Sequence, residues 1–301
     1  MLSKTLPTVG VHTSIAGGLP NAVASAVAKG CDGFQIFARN PRGWLERELS
    51  REEVRAFRDA RERAGLWPFA IHSVYLINLA AQDAVVLARS REAFRQEIKR
   101  GLALGADYLV VHPGNPKTAP ADLGIVTAAE SILEATRGMK LNGATSSKSR
   151  AGGNNSLTIL IENTAGQGSS IGCSFVQVAD LLAMLGDLPV DVCLDTAHTF
   201  ASGYDISTEK GFKSTCRAIN RSFGFERIKL IHCNDSKAPL GSRVDRHQHI
   251  GLGHIGEEGF RRLTANLKFR RIPFILETPV DSERDDIWNI TRLREISGCP
   301  D

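Results

Sequence analysis

A closed barrel of eight parallel strands, each followed by a helix, is the fold this sequence predicts. Three observations predict it. Eight short runs rich in Val, Ile, Leu and Phe recur along the chain, helix-like segments with apolar residues three and four apart lie between them, and the third to eighth runs each stop at a His, Asp or Glu. Continuous apolar runs suit strands buried on both faces, and the intervening period suits amphipathic helices, so the pattern is that of a buried parallel sheet. Eight such units in 301 residues match one (β/α)8 TIM barrel of the α/β class.

The elements follow in order. TVGVH (8–12) precedes LPNAVASAVAKG (19–30), and GFQIF (33–37) precedes the charged SREEVRAFRDARERAG (50–65). PFAIH (68–72) is paired with ARSREAFRQEIKRGLALGA (88–106), and YLVVH (108–112) with LGIVTAAESILEATRGM (123–139). LTILIE (157–162) leads to SFVQVADLLAMLG (174–186), VDVCLD (190–195) to TEKGFKSTCRAINRSFG (208–224), and IKLIH (228–232) to GEEGFRRLTANLKF (256–269). PFILE (273–277) is the eighth run. Gly commonly closes the helical segments, as expected of a helix end. An open doubly wound sheet would normally carry G-x-G-x-x-G after its first strand, and SIAGGLPNA (14–22) lacks that spacing. One domain over 1–301 is therefore expected. The Gly-, Ser- and Asn-rich NGATSSKSRAGGNNS (142–156) precedes the fifth strand and reads as a flexible surface loop on the face opposite the site.

With 42% hydrophobic and 23% charged residues, the chain has the composition of a soluble globular protein with a sizeable core. A formal charge of +4, from 37 Lys and Arg against 33 Asp and Glu, is compatible with a polyanionic partner without requiring one. Cysteines 31, 173, 193, 216, 233 and 299 show no C-x-x-C spacing and read as reduced structural thiols. No signal peptide or membrane-spanning run is present, so no membrane is expected as a partner. The expected location is intracellular and soluble: the cytoplasm if the source is bacterial, with the nucleus open if it is eukaryotic.

The polar run ends carry the chemistry. His72, His112, Glu162, Asp195, His232 and Glu277 each terminate an apolar run, and in a parallel barrel the C-terminal strand ends converge on one mouth. A lone His at a strand end is ordinarily a hydrogen-bonded structural residue. Six converging donors would instead repel one another unless divalent cations compensated them. Asp195 and His198 lie three residues apart in the loop expected after the sixth strand, and Asp245 and His247 lie two apart in SRVDRHQH (242–249), where an extended segment would turn both to one face. Imidazole and carboxylate donors without thiolate favour Zn2+, with Mn2+ as a substitute. Such ions suit hydrolysis of a phosphodiester. No G-x-S-x-G or P-loop motif supports serine-nucleophile or NTPase chemistry. His12 ends the first run and would line the mouth, while His249 and His254 would position their loop.

IENTAGQGSSIG (161–172), DTAHTFASGYD (195–205) and HCNDSKAPLGSRVDRHQHIGLGHIG (232–256) resemble the signature stretches of the endonuclease IV family of apurinic/apyrimidinic endonucleases. GVHTSIAGG, HSVYLINLA, VHPGN and ILETP also match family patterns, so the resemblance covers nearly the whole chain. It implies a TIM barrel with three zinc ions: His72 and His112 on the first, Asp195, His232 and Glu277 on the second, Glu162 bridging these two, and His198, Asp245 and His247 on the third. It further implies base excision repair of double-stranded DNA, by hydrolysis on the 5′ side of an abasic site to leave a 3′-hydroxyl and a 5′-deoxyribose phosphate, with Glu162 at the centre of catalysis. Asn40, Arg42 and Trp44 in FARNPRGW (37–44), with Tyr75 in HSVYLINL (72–79), stand at positions resembling the family's DNA-contacting residues. A monomer is expected. Two alternatives remain at this point: a xylose isomerase-like sugar isomerase or epimerase, which shares barrel and divalent-metal chemistry, and a non-catalytic protein that binds damaged DNA.

Overall fold

The computed structural model describes residues 7–44, 47–141 and 156–298. In chain order the strands are β1 (Val9–His12), β2 (Gly33–Phe37), β3 (Phe69–His72), β4 (Tyr108–Val111), β5 (Thr158–Glu162), β6 (Val190–Asp195), β7 (Ile228–His232), β8 (Asp235–Ser236), β9 (His247–Gln248) and β10 (Phe274–Leu276). All but β8 and β9 close into a parallel barrel, β1-β10-β7-β6-β5-β4-β3-β2. The remaining two form a short antiparallel pair, with Ser236 opposite His247. The eight apolar runs are the eight barrel strands.

The helices are α1 (Leu19–Ala28), α2 (Arg51–Ala64), α3 (Ala84–Leu104), α4 (Ala121–Thr136), α5 (Phe175–Leu185), α6 (Thr196–Ala201), α7 (Glu209–Ser222), α8 (Gly256–Ala265), α9 (Leu267–Arg270) and α10 (Asp286–Ile296). Local chemistry sets their ends. Ser50 and Glu53 form a reciprocal capping box at the start of α2, and Gly65 ends it in the left-handed conformation. Helix α3 starts four residues before the expected segment, because Asp83 accepts the amides of Val85 and Val86 at 3.0 and 2.9 Å. The expected 256–269 helix is two, divided at Asn266, whose side chain caps α9. Two helices have no counterpart in the sequence reading. Helix α6 is only six residues long, and α10 buries the polar Asn289 on its packed face, which dilutes the apolar period that would have marked it.

Strand alternation builds two cores. One set of side chains points outward against the helices, among them Val11, Phe34, Phe69, Ile71, Ile161, Val192 and Phe274. The other fills the barrel: Ala70, Tyr108, Val110, Leu160, Cys193, Leu230 and Ile275. Near β1 and β2 the interior is closed by backbone, since a Cβ on Gly10 would stand 2.1 Å from the Gly33 carbonyl oxygen. Phe34, Phe57 and Phe69 pack ring against ring between the barrel and α2. Truncating one of them to Ala is expected to cost about 3–5 kcal/mol.

The five described cysteines are all free, as expected of reduced thiols. Among the described residues no helix is long and apolar enough to cross a membrane. Of the 142–156 segment, residues 142–155 lie outside those described.

Candidate metal centre

The period of two that fills the barrel also builds the site. Two residues beyond Ala70 on the inward face comes His72, and Val110, Leu160, Cys193, Leu230 and Ile275 are followed in the same way by His112, Glu162, Asp195, His232 and Glu277. The six donors therefore form the next layer above the apolar plug, at the C-terminal mouth. The register sets Asp195 directly beside His232 and staggers the other neighbours, with His72 opposite Val110, Glu162 opposite Cys193 and Ile275 opposite His232.

Glu162 sits at the centre, fully buried. Its Oε2 faces His72 Nε2 at 3.1 Å and His112 Nε2 at 3.4 Å. Its Oε1 faces His232 Nδ1 at 3.0 Å and His198 Nδ1 at 3.3 Å. One carboxylate thus offers one oxygen to each of two neighbouring clusters: His72, His112 and Glu162 in the first, and Glu162, Asp195, His232 and Glu277 in the second. Asp195, His198 and His247 make a third. Asp245 belongs to this third group as well, with its oxygens 3.2 Å from His198 Nε2 and 3.4 Å from His247 Nε2. All nine sequence-derived ligand candidates are therefore brought together. One local expectation changes. Asp195 and His198 are not in a loop: Asp195 ends β6, caps α6 by accepting the His198 amide at 2.7 Å, and aims its carboxylate between the second and third groups.

The imidazoles are held in orientations that suit a cation. Nδ1 of His72 lies 2.7 Å from the Ser73 carbonyl oxygen, Nδ1 of His198 lies 2.9 Å from that of Asn163, and Nδ1 of His247 lies 3.0 Å from that of Glu277. An N–H must point at a carbonyl oxygen, so in the neutral ring the opposite Nε2 presents its lone pair. That lone pair meets carboxylate oxygens in each case, an arrangement that a proton or a metal ion relieves. Nε2 of His247 is buried without any hydrogen-bond partner. Titration reflects the same demand for positive charge. Burial alone would push the Glu162 carboxyl up, yet His232, His112 and His198 hold it well below the usual carboxylate range. Burial likewise pulls His198 and His232 down, but the surrounding acidic groups, Asp195 and Asp245 for the one and Cys193, Glu277 and Glu162 for the other, keep both well above an ordinary imidazole. The chain's own donors, hard oxygens and borderline nitrogens in closed groups of three and four, fit divalent cations.

The family model described as xylose isomerase-like TIM barrel matches residues 23–295. A protein named "Probable endonuclease 4" from Solibacter usitatus is 42% identical over 293 residues, covering 96% of this chain and 97% of its own length. One of the same name from Cenarchaeum symbiosum is 40% identical, covering 96% of this chain and 99% of its own. Among solved structures, endonuclease IV from Thermus thermophilus superposes with a TM-score of 0.81 at 37% identity, covering 96% and 98% of the two chains. This chain belongs to the endonuclease IV family. Membership makes it a DNA-cleaving hydrolase of the apurinic/apyrimidinic endonuclease type, acting in DNA repair. A D-tagatose 3-epimerase-like protein also superposes, with a TM-score of 0.67, but at 15% identity it shares the fold alone.

Around the endonuclease IV centre the mouth is built by two loops and a cleft. Tyr75 follows β3, is 72% exposed, and leans edge-on against Phe37 with ring centroids 5.1 Å apart. Asn40, Arg42 and Trp44 follow β2, all exposed; the Asn40 side chain accepts the Arg42 amide at 3.0 Å and so shapes the turn. A cleft of about 280 Å³ runs from Tyr75 past Asn115 and Gln167 to His112, His198 and Asp245.

Several site residues escaped the sequence reading. Gln35, fully buried on β2, donates to Glu277 Oε1 at 2.6 Å, lies 3.1 Å from His12 Nδ1, and offers its Oε1 to His232 Nε2 at 2.9 Å. Its signal was a single amide inside GFQIF. Asn234 donates to Asp195 Oδ2 at 2.7 Å and accepts the Glu277 amide at 2.8 Å, which follows from its place two residues after His232. His12 lines the mouth as expected, 3.5 Å from Glu277 Oε1. His249 positions its loop, lying 2.9 Å from Asp281 Oδ2 and 3.0 Å from Asn289 Nδ2. His254 contributes a backbone amide to the Ser236 carbonyl. Buried Asp235 fixes that loop, accepting the amides of Gly253, Ile255 and Gly256.

Proposed function

We propose that the barrel mouth binds three zinc ions and hydrolyses the phosphodiester on the 5′ side of abasic sites in double-stranded DNA, as a monomeric, single-domain enzyme of base excision repair. His72 and His112 would hold the first ion, Asp195, His232 and Glu277 the second, with Glu162 shared between them, and His198, Asp245 and His247 the third. Bound there, the ions would acidify a water beside Glu162 and neutralise charge gathering on the phosphate oxygens. Mn2+ is the expected substitute. The products would be a 3′-hydroxyl and a 5′-deoxyribose phosphate.

The chain's own residues supply position and charge. Glu162 presents one oxygen to each of the first two groups, and its depressed pKa keeps it ionised through the working range. Asp195 couples the second group to the third. Arg42 and Tyr75, exposed at the rim, would enter the duplex, while Asn40 and Trp44 would shape the loop that carries Arg42. An abasic nucleotide is cheap to extrude because it has no base to unstack or unpair.

The observation that carries this reading is the buried Glu162 flanked on both oxygens by imidazoles whose other nitrogens are, for His72, His198 and His232, also engaged by neighbouring polar groups. It is tested with duplex DNA carrying one tetrahydrofuran abasic analogue, which blocks β-elimination, incubated with protein before and after chelation and zinc restoration. Zinc-dependent incision leaving a polymerase-extendable 3′ end is expected. Binding without incision by zinc-replete protein would favour a silent damage-binding protein, and metal-dependent turnover of free sugars without DNA cleavage would favour an isomerase.

A further inference from the structure

Beneath the two rim loops lies a buried charge cluster that the metal centre does not use. Glu97 on α3 is fully buried, and Arg39 and Arg100 are nearly so. Arg39 Nε donates to Glu97 Oε1 at 2.8 Å, and Arg39 Nη1 donates to the Trp44 carbonyl at 3.4 Å. Arg100, three residues along the same helix, donates to the carbonyl oxygens of Ala38, at 3.2 Å, and of Arg47. The backbone of Val74, next to Tyr75, also faces the Glu97 carboxylate and favours its charged form. One face of α3 therefore holds the chain at Ala38 and again at Arg47, to either side of Arg42, and touches the base of the Tyr75 loop.

Stability does not require charges here. Burial pushes the Glu97 carboxyl up, and burial with the neighbouring Arg39 lowers the Arg100 guanidinium to about 10. Well-packed apolar side chains of similar size often fill such a space as stably or more so. What they could not supply is direction: guanidinium forks aimed at named backbone carbonyls fix a loop's path.

We infer that Glu97, with Arg39 and Arg100, is a positioning residue that sets the spacing between Arg42 and Tyr75, so that both rim side chains meet one abasic nucleotide. The inference rests on the reading that these loops contact DNA. Displacing a positioned group by about 1 Å can cost on the order of a hundredfold in function, so a loss of roughly tenfold or more in affinity is expected when the cluster is dismantled.

The test uses the zinc-replete enzyme and its Glu97→Ala, Arg42→Ala and doubly substituted forms, binding duplex with one tetrahydrofuran site or none. Glu97→Ala should weaken binding to the abasic duplex, leave binding to undamaged duplex and zinc content unchanged, and speed trypsin cleavage after Arg42 or Arg47. Because Glu97 acts partly through Arg42, the double variant should lose less than the product of the two single losses. Normal affinity in Glu97→Ala beside weak binding in Arg42→Ala overturns the positioning role while sparing the loop reading. Normal affinity in Arg42→Ala sinks the loop reading itself, and fully multiplicative losses overturn the link between them. Should Glu97→Ala not fold, Arg39→Met combined with Glu97→Leu removes both charges together; it should show the same loss, and normal affinity there overturns the inference equally.

Discussion

Gln35→Leu removes one amide from the middle of β2 and is expected to loosen the metal centre without touching a ligand. The amide holds Glu277 Oε1 at 2.6 Å and His232 Nε2 at 2.9 Å, with His12 Nδ1 at 3.1 Å. Leucine fills nearly the same volume, so the effect is the loss of three polar contacts in a fully buried place. A hydrogen bond to a charged group contributes about 1.5–3 kcal/mol, and a buried acceptor left without its donor costs about 1–3 kcal/mol. Only part of this is felt in metal binding, since the same contacts also steady the metal-free protein. Removing a group that orients a metal ligand typically costs about 10–100-fold in affinity, or about 1.4–2.7 kcal/mol, which lies within that range. The assay is zinc affinity by competition with a chromogenic chelator, accompanied by a thermal melt. One zinc of the set should weaken by about that factor. Unchanged affinity for every zinc, in a variant that melts normally, would refute the orienting role of Gln35.

Three further outcomes follow from the site. Glu162→Gln should abolish incision while leaving affinity for abasic duplex within about threefold, because binding energy comes mainly from phosphate and rim contacts; turnover within a factor of about ten of the parent would contradict its central role. His247→Ala removes Nε2, which lacks any hydrogen-bond partner, and Nδ1, which contacts only the Glu277 carbonyl oxygen at 3.0 Å, so the fold should survive with one zinc fewer by elemental analysis; three tightly held ions in this variant would show that the third group is placed elsewhere. In metal-free protein His198 and His232 are raised above 6.5, so their contribution to stability is fully present below that pH and lost as pH rises through the folded values. Zinc needs the same nitrogens unprotonated. The melting temperature of metal-free protein should therefore fall as pH rises above about 6.5 while the increment from zinc grows, and a metal-free protein that gains stability as pH rises from there would reverse the sign.

Much of the centre was legible because strand chemistry is local. Where an apolar run ends at a His or Glu, a period of two decides whether that side chain continues the inward row, and the row can be counted from Leu160 to Glu162 or from Leu230 to His232 without knowing the fold. Two kinds of feature were not legible. Helix α10 packs through Asn289, which accepts the Ile250 amide at 3.0 Å; a polar residue satisfied by a distant loop looks in sequence like a break in periodicity. Gln35 and Glu97 had the opposite problem, since one polar residue within an apolar strand or a charged helix looks incidental until its partners are known.

By itself the sequence determined the barrel, nine candidate donors and the mouth at which they gather, since each depends on spacing within a few residues. Only the tertiary structure decided that Glu162 gives one oxygen to His72 and His112 and the other to His232 and His198. The same holds for Asp195 standing between two groups, for Gln35 joining β2 to the ends of β7 and β10, and for α3 gripping a loop far back along the chain, as the Arg100 to Ala38 bond shows with its separation of 62. The physical reason is closure: alternation along a strand fixes which way a side chain points, but which atoms then meet depends on strands and helices far apart in sequence being brought around one axis.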